Sequence, residues 1–222
     1  MAKGMLTVLV ALSSSCKDAR SEDRPSDAPP PASTAERTLD APPAAWRAPL
    51  DTVETEAVLR LEQGSKALVT TLMQRLMSAM GEAGGMIEAV RVCADEAQEL
   101  TAKVAAEQGM TLGRSSTRLR NPANSPPDWV DAWLTEHEGE RAETVDVMQG
   151  IVEQGGKRYA RRVAPIEVQP LCVNCHGPGP GIPAEVRAVL SQRYPEDQAT
   201  GYAVGDLRGA VWAELELPTR AR

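Results

Sequence analysis

Cys172-Val173-Asn174-Cys175-His176 gathers two thiols and an imidazole within five residues. In this C-x-x-C-H spacing two sulfurs can add to the vinyl groups of one porphyrin while the next residue turns its ring under the iron. That is the sequence signature of covalent c-type haem attachment. The motif is then a tether plus an axial ligand, and it implies one haem c per chain. Two other chemistries draw on the same side chains: Cys172 and Cys175 as a redox dithiol, or Cys172, Cys175 and His176 as three zinc ligands. Either would give a colourless protein. The chain has 4 cysteines and 2 histidines in 222 residues. Chance assembly of this order is roughly a one in a thousand event, which favours haem.

Of the other sulfurs, Cys16 ends a segment with Lys3, the apolar run Met5 to Leu12 and the small residues Ser13, Ser14 and Ser15. Residues 1–16 read as a signal peptide with a lipobox, although Ser13 stands where such boxes usually carry Leu. A run this short cannot span a bilayer as a helix, whereas a lipid on Cys16 would anchor the chain to a membrane on the periplasmic side of the cell envelope. Export agrees with haem c, which bacteria attach outside the cytoplasmic membrane. Cys93 is left without a sulfur partner, and an odd thiol in an oxidising compartment needs a role. It is either a small buried hydrophobe or the sixth iron ligand opposite His176, where a metal lowers a thiol's pKa. Met86, Met110 and Met148 are competing thioethers. His137, the second imidazole, lies in the polar run Glu136-His137-Glu138-Gly139-Glu140, where a solvated side chain is expected. Periodicity does not choose between Cys93 and a methionine.

These groups must be held by elements. Asp51, with Glu54 three residues on, marks a helix start, and Val58, Leu61, Ser65, Leu68, Leu72 and Leu76 follow at helical spacing up to Met80. Gly81, Gly84 and Gly85 break the chain. A second helix is predicted over Met86 to Gln108, with the stripe Met86, Val90, Cys93, Ala97, Leu100 and Val104, and with Gly109 as its stop. A Pro/Asn-rich connection from Arg120 to Pro127 leads to a short helix from Asp128 with Trp129 and Trp133 on one face. The period then changes. Tyr159, Arg161 and Val163 alternate with Ala160, Arg162 and Ala164, and Val211, Ala213, Leu215 and Leu217 alternate with small or acidic residues, as in half-buried antiparallel strands. Between them lie the motif, the turn Gly177 to Pro183, a helix over Ala184 to Arg193 and the turn Gly201 to Gly209. Helices first and strands later predict an α+β fold.

Composition bounds the rest. A chain of 222 residues suits one domain, here 50–222, behind a disordered linker over 17–49 that is rich in Pro, Ala, Ser, Asp and Arg and lacks an apolar period. The net charge of -7 without a basic stripe excludes nucleic acid as a partner. Phe is absent, so the core is built from Leu, Val, Ala and 8 Met. A porphyrin would add apolar surface.

Several segments recur in an order that resembles a known family. They are Ala89-Val90-Arg91-Val92-Cys93 in a helix; Gly113-Arg114-Ser115-Ser116, then Leu119-Arg120-Asn121-Pro122-Ala123-Asn124 and Trp129; Cys172 to Gly177; and Tyr194-Pro195-Glu196-Asp197-Gln198-Ala199-Thr200-Gly201-Tyr202 with Gly205-Asp206 and Gly209. The family is that of bacterial exported c-type haem proteins long classed as a domain of unknown function, and the resemblance spans about residues 50 to 217. It implies a PAS-like sheet packed with N-terminal helices. In a cyanobacterial member the motif histidine and a helix cysteine hold the iron, which implies His176 and Cys93 here.

With that ligand set the expected function is electron transfer or redox sensing, because an anionic sulfur favours ferric iron and a six-coordinate centre excludes substrate. The alternative is a sensor of NO, CO or O2, in which reduction releases Cys93. Either needs a redox or signalling protein partner, unknown from sequence. No paired carboxylates and no nucleophile with a base point to an enzyme. Arg114, Arg118 and Arg120 could pair with haem propionates or serve loop hydrogen bonds. Tyr194 and Tyr202 could hydrogen-bond near the porphyrin but are expected rather to pack on the sheet, and Asn121 and Asn124 to form turns.

Overall fold

Asp51 caps the first helix as predicted: its carboxylate accepts the Glu54 N–H at 2.9 Å, and α1 runs over Thr52–Gly81. The computed structural model describes residues 45–219. The signal peptide and lipobox expected over 1–16, Cys16 itself and the linker as far as residue 44 lie outside the described residues. Among the described residues no helix is long and apolar enough to cross a membrane.

The second predicted helix forms in three consecutive parts: α2 (Gly85–Arg91), a π turn (Val92–Glu96) and α3 (Ala97–Gln108). The π turn adds a residue to one turn of helix, and it contains Cys93. Gly109 stops α3 in the left-handed region at φ 61°, where a side chain would be strained.

Next come β1 (Thr111–Ser115), α4 (Asp128–Glu136), β2 (Met148–Gln154), β3 (Lys157–Glu167), α5 (Val173–His176), α6 (Ala184–Arg193) and β4 (Leu207–Leu217). The strands pair antiparallel in the order β1-β4-β3-β2, and the fold is α+β. β4 starts inside the turn expected over Gly201 to Gly209. β1 and β2 escape the alternation test because each has a glycine in its interior. At Gly113 a side chain would collide with the Trp212 ring, and at Gly150 it would meet the backbone oxygen of Arg47 at 2.6 Å.

Both faces of the sheet are covered. α1 packs Ala57, Val58, Leu61 and Leu68 against Leu112, Ile151, Ala160, Ala164, Val211 and Ala213. The opposite face buries Val163 and Ala210 with Val130, Trp133 and Leu134 of α4. The expectation of half-buried strands is corrected accordingly: Ala160, Arg161, Arg162, Val163 and Ala164 are all buried. Arg161 tolerates this because Glu214 and Gln154 accept its N–H groups at 2.6 and 2.8 Å.

The folded unit also reaches further back than a linker over 17–49 allows. Arg47 exchanges two backbone hydrogen bonds with Ile151 of β2, at 3.0 and 2.9 Å. Its guanidinium donates to the fully buried Glu54 carboxylate at 2.7 and 2.9 Å, and Trp46 meets the edge of Trp129 with ring centroids 5.7 Å apart. Arg158 and the Leu50 N–H also donate to Glu54, at 2.6 and 2.9 Å. Arg47 above all holds the Glu54 carboxyl well below the usual carboxylate range, against the opposing effect of burial.

Candidate functional site

One turn of helix converts the C-x-x-C-H spacing into a single face. Cys172 precedes α5, its carbonyl accepts the N–H groups of Cys175 at 3.1 Å and His176 at 2.8 Å, and positions i, i+3 and i+4 become neighbours. Gly177 closes the turn with its N–H on the Val173 carbonyl at 2.9 Å; a Cβ there would meet the same oxygen at 2.5 Å. The motif is stitched to the segment before β4 by Tyr202 N–H on the His176 carbonyl (2.9 Å) and Gly201 N–H on the Gly177 carbonyl (2.8 Å). Cys93, Cys172 and Cys175 are free, half-buried thiols. Among the described residues no three His, Cys, Asp or Glu side chains are grouped to hold a metal ion.

His176 Nδ1 donates to the Ala199 carbonyl at 2.7 Å. A carbonyl oxygen only accepts, so the proton sits on Nδ1 and Nε2 is the nitrogen left to bind a metal. Burial, with Arg208 and Arg120 adding to it, pushes the pKa of His176 down to about 3, against the opposing bond to Ala199. The imidazole is neutral at physiological pH, as a ligand must be.

Cys93 shares this neighbourhood. Burial pushes its thiol pKa up, while Arg114, Arg120 and Arg208 pull it down; the same three arginines act on His176. Met86, Val90 and Ala94, on either side of Cys93 in sequence, form one apolar cluster with Cys175 and with Ile182, Val186 and Leu190. Two of the competing thioethers are elsewhere: Met110 packs in the α1 core beside Gly64, and Met148 packs with the α4 cluster. His137 stands edge-on to Trp133 at 4.8 Å and bonds Glu140 at 3.2 Å, on a different element from the motif.

The arginines divide by what they touch. Arg120 donates to Asp197 at 3.0 Å and to the Cys175 carbonyl at 2.5 Å. Arg118 holds the carbonyls of Gln198 and Thr200 and lies 4.4 Å above the Tyr202 ring. Arg114 and Arg208 each keep a buried Nε–H with no acceptor, and burial pushes the Arg208 pKa down. Two orphaned guanidinium donors whose charges both act on a metal-ready imidazole suit the two propionate carboxylates of a haem, so the residues present fit that group. Arg208 was missed in the sequence, where a single arginine before Gly209 resembles any turn residue. Tyr202 is corrected: it lies between Arg118 and Arg208 and meets the His176 ring edge-on at 6.5 Å rather than packing on the sheet. Tyr194 is buried in the apolar cluster around Cys175. Asn121 does form a turn, accepting the Ala123 N–H at 3.0 Å.

No curated protein matches the chain. Among solved structures, that of the cyanobacterial heme-protein Tll0287 is similar in fold, with a TM-score of 0.51 at 20% identity, over 75% of this chain and 96% of that one. The model of the Tll0287-like family matches residues 32–215. With the match spanning both helix and sheet regions, the chain belongs to the Tll0287-like family.

Proposed function

We propose that this chain is an exported haem c protein that transfers or senses electrons for a partner protein in the cell envelope. The observation that carries this is the one-turn helix in which two thiols and an imidazole share a face, the imidazole with its Nδ1 proton engaged and Nε2 free. Family membership and the fold shared with a cyanobacterial heme-protein support it. Cys172 and Cys175 would supply the thioether links and His176 an iron ligand. Cys93 would supply a second ligand, a sulfur, and Arg114 and Arg208 the donors for the propionates. Bound there, the haem supplies one-electron exchange between ferric and ferrous iron. The chain's part is to fix the imidazole, keep it neutral and, through Cys93 as thiolate, favour the ferric state. A lipid on Cys16 would hold the domain at the periplasmic side of a membrane.

The test is haem staining after denaturing electrophoresis of protein made with a cytochrome c maturation system. The stain should follow the full-length band and vanish in the Cys172→Ala/Cys175→Ala double variant. A colourless wild-type band overturns the proposal.

A further inference from the structure

Ala199 is where the supports of His176 cross. Its carbonyl accepts the Nδ1–H of His176 at 2.7 Å and a longer contact from Arg120 Nη2 at 3.3 Å, while its own N–H donates to Asp197 Oδ1 at 2.8 Å. The other Asp197 oxygen accepts Arg120 Nε at 3.0 Å. The same Arg120 Nη2 reaches the Cys175 carbonyl at 2.5 Å. Arg120 and Asp197 expose only 10% and 12% of their side chains. One buried ion pair therefore holds the motif backbone, the peptide that receives the histidine proton, and the orientation of that peptide.

We propose that Arg120 and Asp197 are positioning residues that set the reduction potential of the iron through the His176–Ala199 hydrogen bond, an inference that rests on the haem function proposed above. A carbonyl that also receives a guanidinium is a poorer acceptor for Nδ1–H. The imidazole is then less imidazolate-like and donates less to ferric iron. The guanidinium charge acts in the same direction, since a nearby positive charge favours the less positive ferrous state, and burial keeps it from being screened. Asp197 opposes both effects. Removing the charge of Arg120 thus strengthens the histidine bond and leaves a carboxylate behind, which lowers the potential. Removing the charge of Asp197 leaves the guanidinium uncompensated, which raises it. A pair that merely clamped the loop would behave differently: both losses would loosen His176 alike, with shifts of one sign.

The experiment compares haem-loaded wild type with Arg120→Gln, Asp197→Asn and the double variant. It reads the midpoint potential by spectroelectrochemical titration and, alongside, haem per chain and the ferric absorption spectrum. The expected result is a fall for Arg120→Gln and a rise for Asp197→Asn, each about threefold to tenfold in the ferric/ferrous equilibrium, with the double variant within about threefold of wild type. Shifts of the same sign, or a double variant displaced beyond either single one, overturn the inference. Where Arg120→Gln does not mature, the other two decide: an Asp197→Asn potential that is unmoved or lowered is fatal. Failure of the haem function itself shows earlier and separately, as a wild type without pigment.

Discussion

The Nδ1 proton of His176 is given to the carbonyl of Ala199, 2.7 Å away and 23 residues further along the chain. The bond joins the one-turn helix of the motif to the segment that leads into β4, so tautomer and ring orientation are set by a peptide rather than by a carboxylate. Attachment and ligation then separate by residue. His176→Gln should keep the covalent pigment through Cys172 and Cys175 and lose the six-coordinate ferric spectrum. Pigment with an unchanged spectrum would exclude His176 as the axial ligand.

If Cys93 holds the iron as proposed, Cys93→Ala should raise the midpoint potential and alter the ferric spectrum, because an anionic sulfur ligand favours ferric iron. Carbon monoxide added to reduced wild type distinguishes the two roles. An unreactive centre fits electron transfer, whereas a carbonyl spectrum shows that reduction opens a coordination position and favours gas sensing. If neither spectrum nor potential moves in Cys93→Ala, the sixth ligand is another residue, and Met86, which packs in the cluster with Cys175, is the next to replace.

Arg208 is disfavoured in its charged form by burial and has an unpaired Nε–H. Arg208→Met should therefore leave the metal-free chain as stable as wild type or more stable by about 1 kcal/mol, measured by urea denaturation. In the haem-loaded protein the same change removes a donor for a carboxylate and a positive charge, and the midpoint potential should fall. A large loss of stability in the metal-free chain would mean that Arg208 is a structural residue first.

Glu54 links stability to pH. Its folded carboxyl is held below the 4.5 of a free glutamate, so its contribution is fully present above about pH 4.5 and is lost as the pH falls below that value toward the lower folded one. Glu54→Gln should cost about 2–4 kcal/mol at pH 7, since it breaks a buried pair with Arg47 and Arg158, and the cost should shrink on acidification. Thermal melts of both proteins between pH 3 and 7 check the sign.

What was legible in the sequence is what local rules govern. Asp51 and Glu54 announced α1, Gly109 announced the end of α3, and α6 occupies its predicted residues because turn signals and helical spacing agree there. The motif carried its own geometry, since one turn of helix suffices to align it. The π turn was invisible, because one inserted residue leaves a stripe spaced by threes and fours looking regular across Cys93. β1 and β2 were hidden by Gly113 and Gly150, whose reasons, the Trp212 ring and the Arg47 backbone, are distant in sequence. Arg208 and Tyr202 became part of the site only through partners on other segments, Arg118 and His176.

The clasp of Arg47 on Glu54 has a mechanical consequence. Traction applied to the chain ahead of Trp46 would be borne first by two backbone bonds at the margin of the sheet, a forked ion pair and an aromatic contact, within a few residues of the point of load. These holds run into the start of the longest helix, not into the segment that carries Ala199. Tugging from upstream is thus carried into α1 and the sheet margin rather than into the peptide that receives the His176 proton.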